Sequence, residues 1–116
     1  MIERYSRKEI KLIWEDYNKY SIWLKIELAA AEAMEKLKII PKGTVKKVKS
    51  KSKINVKRIT EIENKVKHDV IAFLTSITEK AGKEARFLHK GMTSSDVLDT
   101  CFNLQLKQSG EILLKD

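Results

Sequence analysis

The sequence predicts an all-α fold, a small helical array occupying residues 1–116 as a single domain, and three observations carry that expectation. One proline, Pro41, and four glycines leave little turn chemistry along the chain. No segment alternates apolar and polar residues long enough to make a strand, whereas apolar residues recur three or four apart nearly throughout. The length is near the common domain size, and 42% hydrophobic with 34% charged residues is an ordinary globular composition.

The elements follow in order. Ser6-Arg7-Lys8-Glu9 has the form of a capping box, whose hydroxyl and carboxylate satisfy orphan amides at a helix start. Ile10, Ile13, Trp14 and Tyr17 then share one face. Trp23, Ile26, Ala30, Ala33 and Leu37 mark a longer helix over residues 20–37, about 27 Å from end to end. Pro41 ends it, and the lysine-rich segment beyond forms a short helix with Val45 and Val48 inward. Asn55 caps a helix running to about Val66 through Ile59 and Ile62. Asp69 is the N-cap candidate for a helix over Val70 to Lys80, with Gly82 as its stop. Lys83 to Met92 is an irregular connector, and Thr93-Ser94-Ser95-Asp96 opens the last helix, with Val97, Cys101 and Leu104 on one face. Trp14 and Trp23 stand at core spacing and are assigned to packing, as is Cys101.

Charge narrows the function. There are 24 Lys plus Arg against 16 Asp plus Glu, a net charge of +8. Residues 42–58, KGTVKKVKSKSKINVKR, hold seven lysines, one arginine and no acid, so the excess lies in that segment and the remainder is neutral. The strip has no interleaved aromatic residue and the chain only four arginines, which points to a solvated face rather than a nucleic-acid surface. The alternative is a basic helical module that binds nucleic acid or an acidic partner through residues 42–58. The longest uncharged run, Val70 to Thr78, is nine residues, far short of the roughly 20 that span a bilayer. Met1 to Lys8 mixes both charge signs ahead of no long apolar run, unlike a standard secretory signal, and the single cysteine suits a reducing cytoplasm.

Polar residues other than surface charges gather at three expected helix starts. These are Arg4-Tyr5, Lys67-His68-Asp69, and His89 through Thr93, Ser94 and Ser95. A helix N-terminus presents unpaired amides and about half a positive charge, which favours anions. A helix over residues 70–80 rises roughly 16 Å, and ten extended residues span about 33 Å, so the connector can return and set His89 to Ser95 beside His68 and Asp69. Such a cluster suits a small, multiply charged anion. Asp69 and Thr93 to Asp96 are also adequate caps without any ligand, and two histidines cannot build a three-histidine zinc site.

His89 with Gly91-Met92-Thr93-Ser94-Ser95-Asp96-Val97-Leu98-Asp99-Thr100 resembles the first signature of the fumarase/aspartase superfamily in its adenylosuccinate lyase branch. Lys67-His68-Asp69-Val70-Ile71-Ala72-Phe73-Leu74 resembles a second marker of that branch, and Arg4-Tyr5-Ser6 its N-terminal phosphate-contacting dipeptide. The similarity covers essentially the whole chain in the right order. Position 90 departs from the pattern, with Lys where the branch has Gln.

The resemblance implies a carbon–nitrogen lyase of purine biosynthesis, which eliminates fumarate from adenylosuccinate to give AMP and acts likewise on the succinyl-carboxamide ribotide SAICAR. It implies no cofactor and no metal. Carried over, Arg4 and Tyr5 contact the nucleotide phosphate, Lys67, His68 and Asp69 contact substrate with His68 in support, and Thr93 and Ser94, with Ser95 and His89 nearby, donate to the succinyl carboxylate. It also implies a cytoplasmic homotetramer with shared active sites, of which this chain is the N-terminal domain as a fragment or truncated form. The family's general-acid histidine and serine base find no match here, so the 116 residues alone are expected to be inactive.

Overall fold

A computed structural model describes residues 7–115. Among them stand α1 (Lys8–Ile13), α2 (Asp16–Lys36), α3 (Thr44–Lys51), α4 (Val56–Val66), α5 (Asp69–Ala81), a 3₁₀ helix (Gly82–Phe87) and α6 (Ser94–Lys115). The described residues hold no strand, as an all-α array requires. α2 lies against α6, α4 packs on α5, and α3 closes over α2, α5 and the 3₁₀ helix.

The core is built where these elements cross. Trp23 of α2 meets Phe73 of α5 edge to face, ring centroids 5.4 Å apart at 90°, and Tyr20 stacks on Phe73 at 6.0 Å. Such pairs add about 0.5–1.5 kcal/mol each beyond the area they bury. Val48 of α3, Ile59 of α4, Val70 and Ile77 of α5 and Val97 of α6 complete the centre. Val48 faces inward as its spacing predicts, with Val45 packed partly behind it, and the intervening lysines go to solvent.

Asn55 caps α4, its side-chain oxygen accepting the Arg58 N–H at 3.0 Å. Gly82 ends α5 with a φ of 81°, a backbone conformation open to glycine and strained for other residues. The expected connector is in part ordered, because residues 82–87 wind into the 3₁₀ helix that packs along α5.

Ser6 of the expected capping box lies outside the described residues; α1 begins at Lys8 behind an extended Arg7, and Glu9 pairs with Arg7 at 3.7 Å. Four expectations are corrected. First, α1 stops before Trp14, which leaves Tyr17 63% exposed rather than on a shared face. Two side-chain amides hold that break open: Asn18 Nδ2 at 2.7 Å and Gln105 Nε2 at 3.1 Å both donate to the Ile13 carbonyl oxygen, which the ended helix leaves without a partner.

The second correction concerns α2, whose inward stripe runs through Tyr20, Trp23, Glu27 and Ala31, whereas Ala33 and Leu37 are exposed. The sequence pattern lost the phase because a glutamate stands in the buried row. Third, on α6 the place after Val97 and Cys101 belongs to Gln105, and Leu104 is 38% exposed. Fourth, α5 is capped by His68, not by Asp69.

Trp14 packs as expected, edge to face against Phe102 at 5.9 Å, with its indole N–H donating to Ser109 Oγ at 3.0 Å. Cys101 is buried, and that burial pushes its thiol pKa up, which suits a packing residue rather than a nucleophile.

Candidate functional site at two helix starts

Lys67 ends α4 in the left-handed region at φ 57°, its N–H donating to the Glu63 carbonyl at 2.8 Å. The next residue turns extended and opens α5. His68 Nδ1 accepts the Ile71 N–H at 3.2 Å, so the ring fills the capping role that Asp or Ser usually takes. A nitrogen that accepts carries no proton, which places the proton of the neutral ring on Nε2. That Nε2 faces Ser94 Oγ at 3.5 Å, at the outer limit of a hydrogen bond. The starts of α5 and α6 therefore meet, as the reach of the connector allows, with an imidazole N–H and a serine hydroxyl between them.

Asp69 stands beside them, its Oδ1 3.9 Å from His68 Nδ1 and accepting the Val70 N–H at 2.8 Å. Its charge reaches inward as well. Tyr20 is held protonated, its pKa pushed up to about 12, first by burial and then by Asp16, Glu63 and Asp69. At the start of α6 the carboxylate of Asp96 reaches back to accept the Thr93 N–H at 2.8 Å and the Thr93 hydroxyl at 3.3 Å. Thr93 is thereby occupied in capping, while Ser94 is the hydroxyl turned toward His68. Ser95 is exposed on the same first turn. Arg4 and Tyr5 lie outside the described residues.

His89 departs from the expected cluster. Its Nδ1 lies 2.6 Å from Glu27 Oε1 of α2, so the ring is directed to that buried acid, whereas His68 is the histidine in contact with Ser94. Glu27 is fully buried and His89 only 18% exposed at the side chain. Sequence reasoning missed Glu27, although one signal was there. Its neighbours one turn away in each direction, Trp23 and Ala31, are apolar and buried, so a helix buried on that face has to bury the acid too.

The lysine segment lies elsewhere. Lys46, Lys47, Lys49 and Lys51 are exposed on α3, and Glu84 of the 3₁₀ helix sits in their field. Its carboxyl is held below the usual range, chiefly by a hydrogen bond from its own backbone and then by Lys51, Lys47 and Lys83. Among the described residues no helix is long and apolar enough to cross a membrane, and no group of three or more His, Cys, Asp or Glu could hold a metal ion.

No family model matches the chain. It is 47% identical over all 116 residues to adenylosuccinate lyase of Staphylococcus saprophyticus, and spans 27% of that relative. A crystal structure of fumarate lyase from Mesorhizobium sp. BNC1 superposes on 88% of the chain with a TM-score of 0.79 at 21% identity, and the matched part is 25% of that structure. The array of helices is thus the fold found in a fumarate lyase, and the chain spans about a quarter of the length of each relative.

Proposed function

We propose that this chain, a homologue of adenylosuccinate lyase along its whole length, is the N-terminal domain of such an enzyme and supplies part of its substrate site. The observation that carries this reading is the contact of His68 Nε2 with Ser94 Oγ, which joins the two sequence markers at two helix starts. The substrates, adenylosuccinate and SAICAR, each carry two carboxylates and a phosphate, the kind of ligand that paired helix N-termini favour.

The reaction is an elimination. A base removes the proton from the carbon beside one succinyl carboxylate, the electron pair becomes the carbon–carbon double bond of fumarate, and the carbon–nitrogen bond breaks with a proton delivered to the departing amine. Removing the first proton builds charge on the carboxylate, and preorganised donors lower that barrier. Ser94 Oγ, the first-turn amides of α6 that include Ser95, and the His68 Nε2–H are donors of that kind, and Thr93 joins them when it exchanges Asp96 for substrate. Lys67 and Asp69 contact substrate, and Arg4 and Tyr5 take the phosphate. On this reading the working enzyme is a cytoplasmic homotetramer with sites shared between subunits. Its principal acid and base have no counterpart among these 116 residues.

The test is titration of adenylosuccinate into the isotopically labelled chain, with nuclear magnetic resonance following the amides and ultraviolet absorbance following fumarate. Binding with shifts centred on His68 and Ser94, and no release of fumarate, is the expected result. Shifts confined to residues 42–58 would overturn the site in favour of a basic module, and fumarate release would overturn the inactivity of the isolated chain.

A further inference from the structure

We propose that Glu27 is a positioning residue for His89, holding its Nδ1–H and, through the ring, the turn that leads to the α6 donors of the substrate site. The inference rests on the lyase reading for the identity of the ligand, and on geometry alone for the pairing.

Glu27 lies in the middle of α2, fully buried, in a row otherwise made of Tyr20, Trp23 and Ala31. One carboxylate oxygen is 2.6 Å from His89 Nδ1, and the other, Oε2, has no hydrogen-bond partner among the described residues. A buried acid met on one side only is costly, and an apolar residue of similar size would suit packing better. What the acid supplies is direction. A carboxylate 2.6 Å from a ring nitrogen requires a proton between them, and this fixes both the tautomer and the plane of the ring.

The backbone supports the same view. His89 adopts φ 65°, in the left-handed region that residues with a side chain enter uncommonly. Its carbonyl accepts the Met92 N–H at 3.2 Å, Leu88 before it is buried, and Gly91 completes the turn at φ 73°. Two residues after Gly91 the chain reaches Thr93, and then Ser94 at the start of α6. Glu27 thus ties α2, through one imidazole, to the turn that delivers the α6 donors.

The two histidines then carry opposite tautomers. His68 gives its Nδ1 lone pair to the Ile71 amide and presents an Nε2–H, whereas His89 spends its Nδ1–H on Glu27.

Long-range proton–nitrogen spectra of the labelled chain decide the pairing. The wild-type chain is expected to show His89 protonated at Nδ1 with slow exchange. Glu27→Ala should lose that signal and move the Met92, Thr93 and Ser94 amides, and Glu27→Gln, which keeps an acceptor, should restore both. If Glu27→Ala does not fold, the wild-type and Glu27→Gln spectra decide alone. A wild-type ring with a bare Nδ1, or Ala-variant amides that stay in place, overturns the proposal. Adenylosuccinate titration reads the consequence: Glu27→Ala should weaken binding about tenfold, the lower end for removing a partner that orients a site imidazole. Equal affinity for adenylosuccinate would refute the positioning role. Failure of the wild-type chain to bind adenylosuccinate would sink the lyase reading and leave the tautomer to the spectra.

Discussion

His68 and His89 both precede helix starts, yet the two junctions are built differently. At the first, the ring is about half exposed and serves as a cap, with one nitrogen on a backbone amide and the other toward Ser94. At the second, the ring is mostly covered and paired with an acid that has no exposure at all. The difference separates local from long-range construction. The His68 cap is made within four consecutive residues, with only its contact to Ser94 coming from afar, whereas the His89 junction exists only once α2 has packed beside it.

The strongest way to break this contrast is His89→Ala, which leaves the Glu27 carboxylate buried without a partner. It should cost about 3 kcal/mol in urea unfolding, the lower end for breaking a buried pair because His89 keeps some exposure. A loss no larger than that of an exposed substitution would mean the acid relaxes to solvent.

Alkaline pH probes the acids around the first junction. The Tyr20 pKa is about 12 in the fold against an ordinary 10.0, so the folded state favours the neutral phenol. Its contribution is fully present below pH 10 and is lost as pH rises through about 12, in all about 3 kcal/mol. Phenolate absorbance recorded alongside helicity should show Tyr20 ionising together with unfolding, and early ionisation without loss of helix would contradict that burial.

His68→Ala should cost about 1 kcal/mol, the usual worth of an N-cap. His68→Asn separates the two roles of the ring, since Asn caps a helix but lacks the Nε2–H. Stability should return in the Asn variant while nucleotide binding does not, and recovery of both would reduce His68 to a cap.

The smallest effect is expected on α3. Replacing Lys46, Lys47, Lys49 and Lys51 with Gln should move stability by less than about 0.5 kcal/mol and leave adenylosuccinate affinity unchanged. A steep salt dependence of polyanion binding that disappears in this variant would instead revive the basic-module alternative.

What could be read from the sequence follows the same division. Asn55, Gly82 and Thr93 to Asp96 are signals confined to a few neighbouring residues, and the start of α4, the end of α5 and the start of α6 fall where they indicate, whereas the cap of α5 passed from Asp69 to His68. The break after Ile13 carries no glycine or proline, because Asn18 and a residue of α6 hold it open. Glu27 and Gln105 look like surface residues until their partners, His89 and the Ile13 carbonyl, arrive from distant parts of the chain. Pattern reasoning counts them as polar and shifts the phase of α2 and α6 accordingly. The meeting of His68 with Ser94 was legible in the sequence, and the pairing of His89 with an acid 62 residues away was not.

The junction of α4 and α5 also bears on how this sequence can change. Lys67 closes one helix and His68 opens the next, with no spare residue between them. An insertion within the first turn of α5 would turn His68 by roughly 100° about the helix axis relative to Phe73 and Ile77, given 3.6 residues per turn. Either the imidazole would leave Ser94 or the two apolar side chains would leave the core. The phase of the candidate site is therefore locked to that of the core.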